Sequence, residues 1–183
     1  TALRLAPTLA AELAPLLALL APLNVQIAAA DARIAALGRT DAVVALLQSA
    51  PSIGPVTASG IVAIADDIGR FPSAHQFEAF LGLVPGERSS GEKRRLGHIT
   101  KAGNRRARYL LVEAAWRILR SKSADTAVLR AWAQRILHRR GKKIAAVALA
   151  RRLAGILYAM WRDQRAYDAG HLRMPPTEPA HAA

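Results

Sequence analysis

An all-α fold is predicted for this 183-residue chain by three observations. More than half of the residues are hydrophobic, yet aromatics make up only 5% and much of the apolar content is alanine. Alanine favours helices with narrow contacts, whereas a sheet protein draws on β-branched and aromatic residues. Apolar residues also recur at steps of three and four, the period of a helix face. Stop and start signals then fall at the edges of these runs: Ser73 with Gln76 three places on, and glycines at 38, 82 and 141. The length suits one domain with an appendage.

Residues 1–38 read as an arm. Leu13, Leu16, Leu20, Leu23, Ile27, Ala30, Ile34 and Leu37 form the alternating seam of a coiled coil. Such a seam serves a homo-oligomer or a linker, or packs on its own domain. Pro15 and Pro22 conflict with an unbroken helix, because each removes a donor and clashes one turn back. A regular helix is therefore expected from about Pro22 to Leu37, ended by Gly38, with a kinked or separate short helix before it. Between Leu9 and Ala30 the only charge is Glu12. The prolines, Asn24, Gln26 and a poor basic flank argue for a helix packed on a partner rather than a membrane span. The chain opens at Thr1 inside this apolar run, as expected of a fragment.

The second region, 39–168, carries the domain. A short helix is expected over Thr40–Ser49, a turn at Pro51–Pro55 and a second helix from Val56 to about Asp66, together a helix-hairpin-helix at 43–66. Asp67–Pro72 reads as loop, and Ser73 starts a helix that ends after Leu81. Residues 85–103 hold glycines, serines and cations with few apolar residues, so a loop or basic hairpin is expected. Asn104 opens a helix that uses Ala107, Leu110, Leu111, Ala114 and Ile118. Another uses Leu129, Trp132, Ala133 and Ile136 and closes at Gly141. The last runs from about Lys143 to Gln164, giving a closing bundle of three longer helices. Residues 169–183 read as a disordered tail.

The net charge is +13 and the pI is near 11.4. Such an excess points to a polyanionic partner, nucleic acid before an acidic membrane surface. A basic structural protein of the ribosome is the alternative. With no cysteine, disulfides and thiolate metal sites are excluded, and the composition fits a reducing cytoplasm. The five histidines are scattered, so neither a metal site nor a cofactor is expected in this chain.

Three motifs carry chemistry. A tight turn before a helix leaves the helix's first N–H groups unpaired, able to hold a DNA phosphate with help from the dipole. Ile53, Gly54, Val56 and Thr57 are the candidates there, although Ser52 stands where such turns usually have glycine. The same layout also occurs in helix pairs used only for packing. The second motif is basic: Arg88, Lys93, Arg94, Arg95, Lys101, Arg105 and Arg106 can each reach a phosphate and release counterions. Charge runs are often merely solvated, but the interleaved glycines and serines suit a loop shaped around a ligand. Third, Ser89-Ser90-Gly91 lies among these cations. A serine hydroxyl can attack a phosphodiester and keep one strand as a phosphoserine ester, with cations stabilising the pentacoordinate state. Taken alone, the tripeptide is only a turn.

The run from Pro51 to Leu111 contains, in order, Pro-x-Ile-Gly-Pro-Val-Thr-Ala, Asp-Ile-Gly-Arg-Phe, Phe-Leu-Gly-Leu-Val-Pro, Ser-Ser-Gly-x-Lys-Arg-Arg and Gly-x-Ile-Thr-Lys-x-Gly-Asn-Arg-Arg. Leu-Leu-Val-Glu-Ala-Ala follows. This order and spacing resembles the C-terminal transposase domain of the insertion sequence 110/116/902 family.

The resemblance implies a DNA recombinase with a RuvC-like N-terminal domain whose acidic tetrad binds divalent metal (Mg), a coiled-coil connector and this C-terminal portion. It implies a serine nucleophile, carried over here to Ser90 with Ser89 as its neighbouring alternative. DNA is the implied partner, an element-encoded guide RNA is used by some members, and assembly is oligomeric. No acidic tetrad in a strand-rich context exists in this chain, so the metal-binding half is expected to lie elsewhere. Strand cleavage by this chain alone is not expected. A non-enzymatic helix-hairpin-helix DNA-binding module, or the remnant of a decayed element, is the alternative reading.

Overall fold

Residues 6–87 and 96–171 are described by the computed structural model. Its first element, α1 (Pro7–Thr40), is a single helix of 34 residues. The expected break at Pro15 and Pro22 does not occur; both prolines lie inside the helix. The carbonyls that lose a donor belong to Ala11 and Ala18, one turn back, and both residues are exposed, so water can take the freed acceptors. Gly38 likewise does not end the helix, which continues to Thr40. It is the buried residue of α1: a Cβ there would lie 3.0 Å from Val44 Cγ1 and 3.3 Å from Ser59 Oγ. Gly38 is thus a close-approach residue that lets the arm seat on the domain.

Helices α2 (Ala42–Leu47) and α3 (Pro55–Ala65) follow. Asp41 caps α2, its carboxylate accepting from the N–H groups of Val43 at 2.8 Å and Val44 at 3.0 Å. Asp67 accepts from Gly69 N–H at 2.8 Å and starts a single 3₁₀ turn, Ile68–Arg70. Ser73 Oγ accepts from Gln76 N–H at 3.3 Å and caps α4 (Ala74–Phe80). All three caps are local, so a short polar side chain in the right place suffices.

A two-stranded antiparallel hairpin comes next, β1 (Pro85–Glu87) paired with β2 (Leu96–Ile99). Pro85 faces Ile99 and Glu87 faces Leu96, with an irregular register between them. Three helices then close the domain: α5 (Arg105–Arg120), α6 (Ala127–Arg140) and α7 (Lys142–Asp163). A 3₁₀ turn at Ala169–His171 follows, and the rest of the expected disordered tail lies outside the described residues.

α7 is the axis of the core. It packs against α2, α4, α5, α6 and the 3₁₀ turn. Its buried face mixes Leu149, Leu153 and Leu157 with Ala146, Ala150 and Ala154, so neighbours come close on the alanine side. An aromatic group seals one flank: Phe71 meets Phe77 and Phe80 at 5.1 and 5.0 Å, and Phe77 lies 6.1 Å from Tyr158. The buried Tyr158 hydroxyl donates to the Phe71 carbonyl at 2.8 Å. The arm is the opposite case, with Leu16, Leu17, Leu19, Leu20 and Leu23 all more than half exposed.

Position of the hairpin is set by a backbone-to-backbone clamp. Gly82, at φ +68°, and Gly103 bring residues 80–82 against 101–103; a Cβ on Gly103 would lie 2.2 Å from the Phe80 carbonyl oxygen. Lys101 N–H donates to Gly82 O at 3.1 Å and Thr100 N–H to Val84 O at 2.9 Å. Arg108 reaches back from α5 and donates through Nη1 to Leu81 O at 3.0 Å. Asn104 then caps α5, its Oδ1 accepting from Ala107 N–H at 3.0 Å.

Two predictions follow from this packing. Gly103→Ala cannot keep the clamp and is expected to cost at least about 2 kcal/mol, visible as a lowered urea midpoint. Leu153→Ala should cost about 3 kcal/mol, while Leu20→Ala on the arm should change stability by less than about 0.5 kcal/mol; parallel urea titrations separate them.

Candidate nucleic-acid interface

The turn between α2 and α3 is built from Ala50-Pro51-Ser52-Ile53-Gly54. Ser52 takes φ +63°, the left-handed region that glycine adopts most readily. Gly54 sits at φ −89° in extended backbone and precedes Pro55, the first residue of α3. Pro55 has no N–H and Gly54 offers no side-chain cap. The N–H groups of Val56 and Thr57 therefore lack an intrahelical acceptor and stand at the positive end of the helix dipole.

Side chains contribute less here than the sequence suggests. Ile53 is 4% exposed and Thr57 7%, so both point into the core. Ile53 N–H already donates to Ala50 O at 3.2 Å. What this turn can offer a phosphate is backbone, from Val56 and Thr57.

Of the basic candidates, Lys101, Arg105 and Arg106 are exposed. Lys101 has φ +55°, held there by the clamp, and Arg105 and Arg106 open α5 directly after the Asn104 cap. Arg88, Ser89, Ser90, Lys93, Arg94 and Arg95 lie outside the described residues. Their flanks are fixed, because Glu87 and Leu96 face each other across the β1–β2 ladder. Lys101 and the two arginines thus lie at the foot of the β1–β2 hairpin, and the two serines fall between its strands in sequence.

Tyr109, one turn beyond Arg105, escaped the sequence reading. It is 55% exposed, and the Arg106 guanidinium lies 5.8 Å from its ring centroid. The 105, 106, 109 spacing on one helix face was the available signal. Arg108, which is not among the DNA-binding candidates, is half-buried and secures the clamp. Thr100 contributes its backbone N–H to Val84 O at 2.9 Å.

Among the described residues, no group of three or more His, Asp or Glu could hold a metal ion. A cavity of about 570 Å³ lies elsewhere, between the end of α7 and Arg165–Asp168, and no candidate residue lines it. Tyr167 borders it; burial pushes its phenol upward, and its backbone N–H donates to Ser49 Oγ at 2.9 Å. By length and composition two helices could cross a membrane. The apolar window of α7 is 56% buried in the fold and that of α1 is 0% buried.

Comparison with known proteins bears directly on this geometry. Residues 44–130, from α2 into α6, match the model of the transposase IS116/IS110/IS902 family. A probable family 20 transposase of Pseudomonas aeruginosa is 38% identical over 145 residues, covering 79% of this chain and 43% of the relative. The transposase for insertion sequence element IS1111A of Coxiella burnetii is 39% identical over 124 residues, 68% of this chain and 34% of the relative. An insertion element IS116 protein of Streptomyces clavuligerus is 33% identical over 143 residues, 75% of this chain and 34% of the relative. The chain spans less than half the length of each of these relatives. The matched segment contains the α2–α3 turn, the clamp, the hairpin and the basic start of α5, and through it the chain belongs to the IS116/IS110/IS902 family of transposases.

Proposed function

We propose that this chain is the DNA-binding and strand-transfer portion of an insertion-sequence transposase, with Ser90 as the nucleophile. The observation that carries this reading is the clamp: residues 80–82 and 101–103 hold the foot of the β1–β2 hairpin beside exposed Lys101, Arg105 and Arg106, all inside the family match, and Ser-Ser-Gly falls between the two strands in sequence. A nucleophile works only if the phosphate is held against it, and a hairpin with a rigid foot beside cations serves that need.

In the proposed step the Ser90 Oγ bonds to phosphorus as the bond from phosphorus to one deoxyribose oxygen breaks. The hydroxyl's proton leaves to a base, and the released deoxyribose oxygen takes up a proton. Attack by a strand hydroxyl on the phosphoserine ester reverses the chemistry and joins the new strand. Ser89 is the neighbouring alternative. Lys101, Arg105 and Arg106, with Arg88, Lys93, Arg94 and Arg95, offset the charge that builds on the phosphoryl oxygens. The N–H groups of Val56 and Thr57, at a helix-hairpin-helix turn, hold a second phosphate and fix the register of the duplex.

The described residues do not fit a metal, so no step of this chain is routed through one. Mg²⁺ belongs, in this proposal, to an acidic RuvC-like domain outside the chain. The rest of the proposal is assembly through α1, action on DNA in the cytoplasm, and an element-encoded RNA as a further partner.

The test is Ser90→Ala in a protein that joins this chain to such an acidic domain. DNA affinity should stay within about twofold, while the covalent protein–DNA adduct and strand transfer fall by at least about a thousandfold. Undiminished joining would instead favour a module that only binds DNA, or would move the role to Ser89. Separately, replacing Lys101, Arg105 and Arg106 by alanine should lower the slope of log affinity against log salt by about 3.

A further inference from the structure

A second concentration of charge sits away in sequence from the hairpin, at the corner between α6 and α7. The two helices are joined by Gly141 alone and pack side by side, with the Arg152 guanidinium 4.7 Å from the Trp132 ring. Residues 138–143 are therefore the tip of a helical hairpin. Arg139, Arg140, Lys142 and Lys143 are exposed on it, and none forms an ion pair among the described residues. From Asp125 to Asp163 the sequence contains no carboxylate residue between those two ends. Nothing on either helix offsets the tip.

Fold stability does not account for this arrangement. Cations at the end of α6 suit its dipole, but Lys142 and Lys143 occupy the first turn of α7, where the dipole disfavours them. Like charges within a turn also repel one another. Gly141 turns the corner at φ +82° with open space around its Cβ position, so the backbone is as accessible as the side chains. Lys142 and Lys143 cost the fold something and gain nothing internally, which points to an external anion.

Its chemistry can be narrowed. Ile144 is 48% exposed, and outside α1 the only other exposed large hydrophobic residue described is Tyr109. The corner thus lacks the apolar face that membrane insertion requires. It also lacks an exposed aromatic on which unpaired bases would stack, Trp132 being half-buried against Arg152. Charge without stacking or apolar surface is the pattern of a contact to the sugar–phosphate backbone of duplex nucleic acid.

We propose that the α6–α7 corner is a second duplex-DNA surface, in which Arg139, Arg140, Lys142 and Lys143 contact phosphates regardless of base sequence. This rests on the reading that the chain binds DNA, and extends it to a surface distinct from the hairpin.

The experiment is fluorescence anisotropy of the whole chain on a duplex of arbitrary sequence, roughly two helical turns long, over a salt series. Replacing the four cations by alanine should lower the salt slope by about 3 to 4 and the affinity at moderate salt by at least about tenfold, with unchanged circular dichroism. Arg139→Lys with Arg140→Lys should keep the wild-type slope, since charge rather than shape is in use. The alanine losses should add, in log affinity, to those of the Lys101, Arg105 and Arg106 variant.

An unchanged slope in the corner variant, with weakening in the hairpin-side variant, would overturn the corner surface and leave DNA binding standing. Absence of duplex binding by the wild type would overturn both. A loss confined to a structured RNA probe, the duplex being unaffected, would overturn the assignment to DNA.

Discussion

The surface formed by the hairpin foot and the basic start of α5 depends on two backbones touching at Gly103. The chain must pass so close to Phe80–Gly82 that no side chain fits between, and the polar groups brought together there satisfy one another. Lys101 N–H takes the Gly82 carbonyl, Arg108 takes the Leu81 carbonyl, and Thr100 continues the pairing toward Val84. Close approach and hydrogen bonding reinforce one another, because a buried polar backbone without partners would be costly. This one contact joins α4 to α5, fixes the foot of the β1–β2 hairpin and sets the angle at which Arg105 and Arg106 leave the surface.

Behind the clamp, α7 supplies the mass of the core. Leucines fill its buried face while alanines let α4, α5 and α6 approach, and the Arg151–Glu78 ion pair ties the same helix to α4 beside the clamp. The Tyr158 bond to Phe71 ties it to the segment before α4. Stability and function are thus laid out in separate places. Apolar burial holds α2–α7 together, whereas the hairpin foot and the α6–α7 corner carry cations that the core does not use. The arm contributes its last turn, through Gly38, and otherwise projects apolar surface.

The family assignment gives these features a common sense without replacing their physics. The match stretches from α2 into α6, which is the region the clamp organises. The chain spans less than half of each relative compared here, and in the function proposed above its residues hold DNA and offer a nucleophile rather than carry a complete reaction.

Local features were legible in the sequence. Ser73 and Asn104 cap helices because a short polar side chain and its target N–H lie within three residues, a geometry that no distant contact has to supply. The helical class followed from composition and period, and the ordered motifs from Pro51 to Leu111 pointed to the family. Other features depended on what surrounds each residue. Pro15 and Pro22 were read as breaks, but the freed carbonyls face water and α1 runs through. Gly38 was read as a stop, yet it is a contact with α2 and α3. Ile53 and Thr57 were candidates as part of a phosphate-holding turn, and the fold turns their side chains inward. The clamp itself joins residues some twenty positions apart, and its glycines look like any others in the sequence. The sequence alone determined the helical class, the caps at Ser73 and Asn104, the charge and the family, none of which needs a contact between distant segments. Tertiary structure alone decided which glycines are contacts, which prolines are tolerated and which candidates reach the surface, because those depend on distances between segments that the sequence does not place side by side.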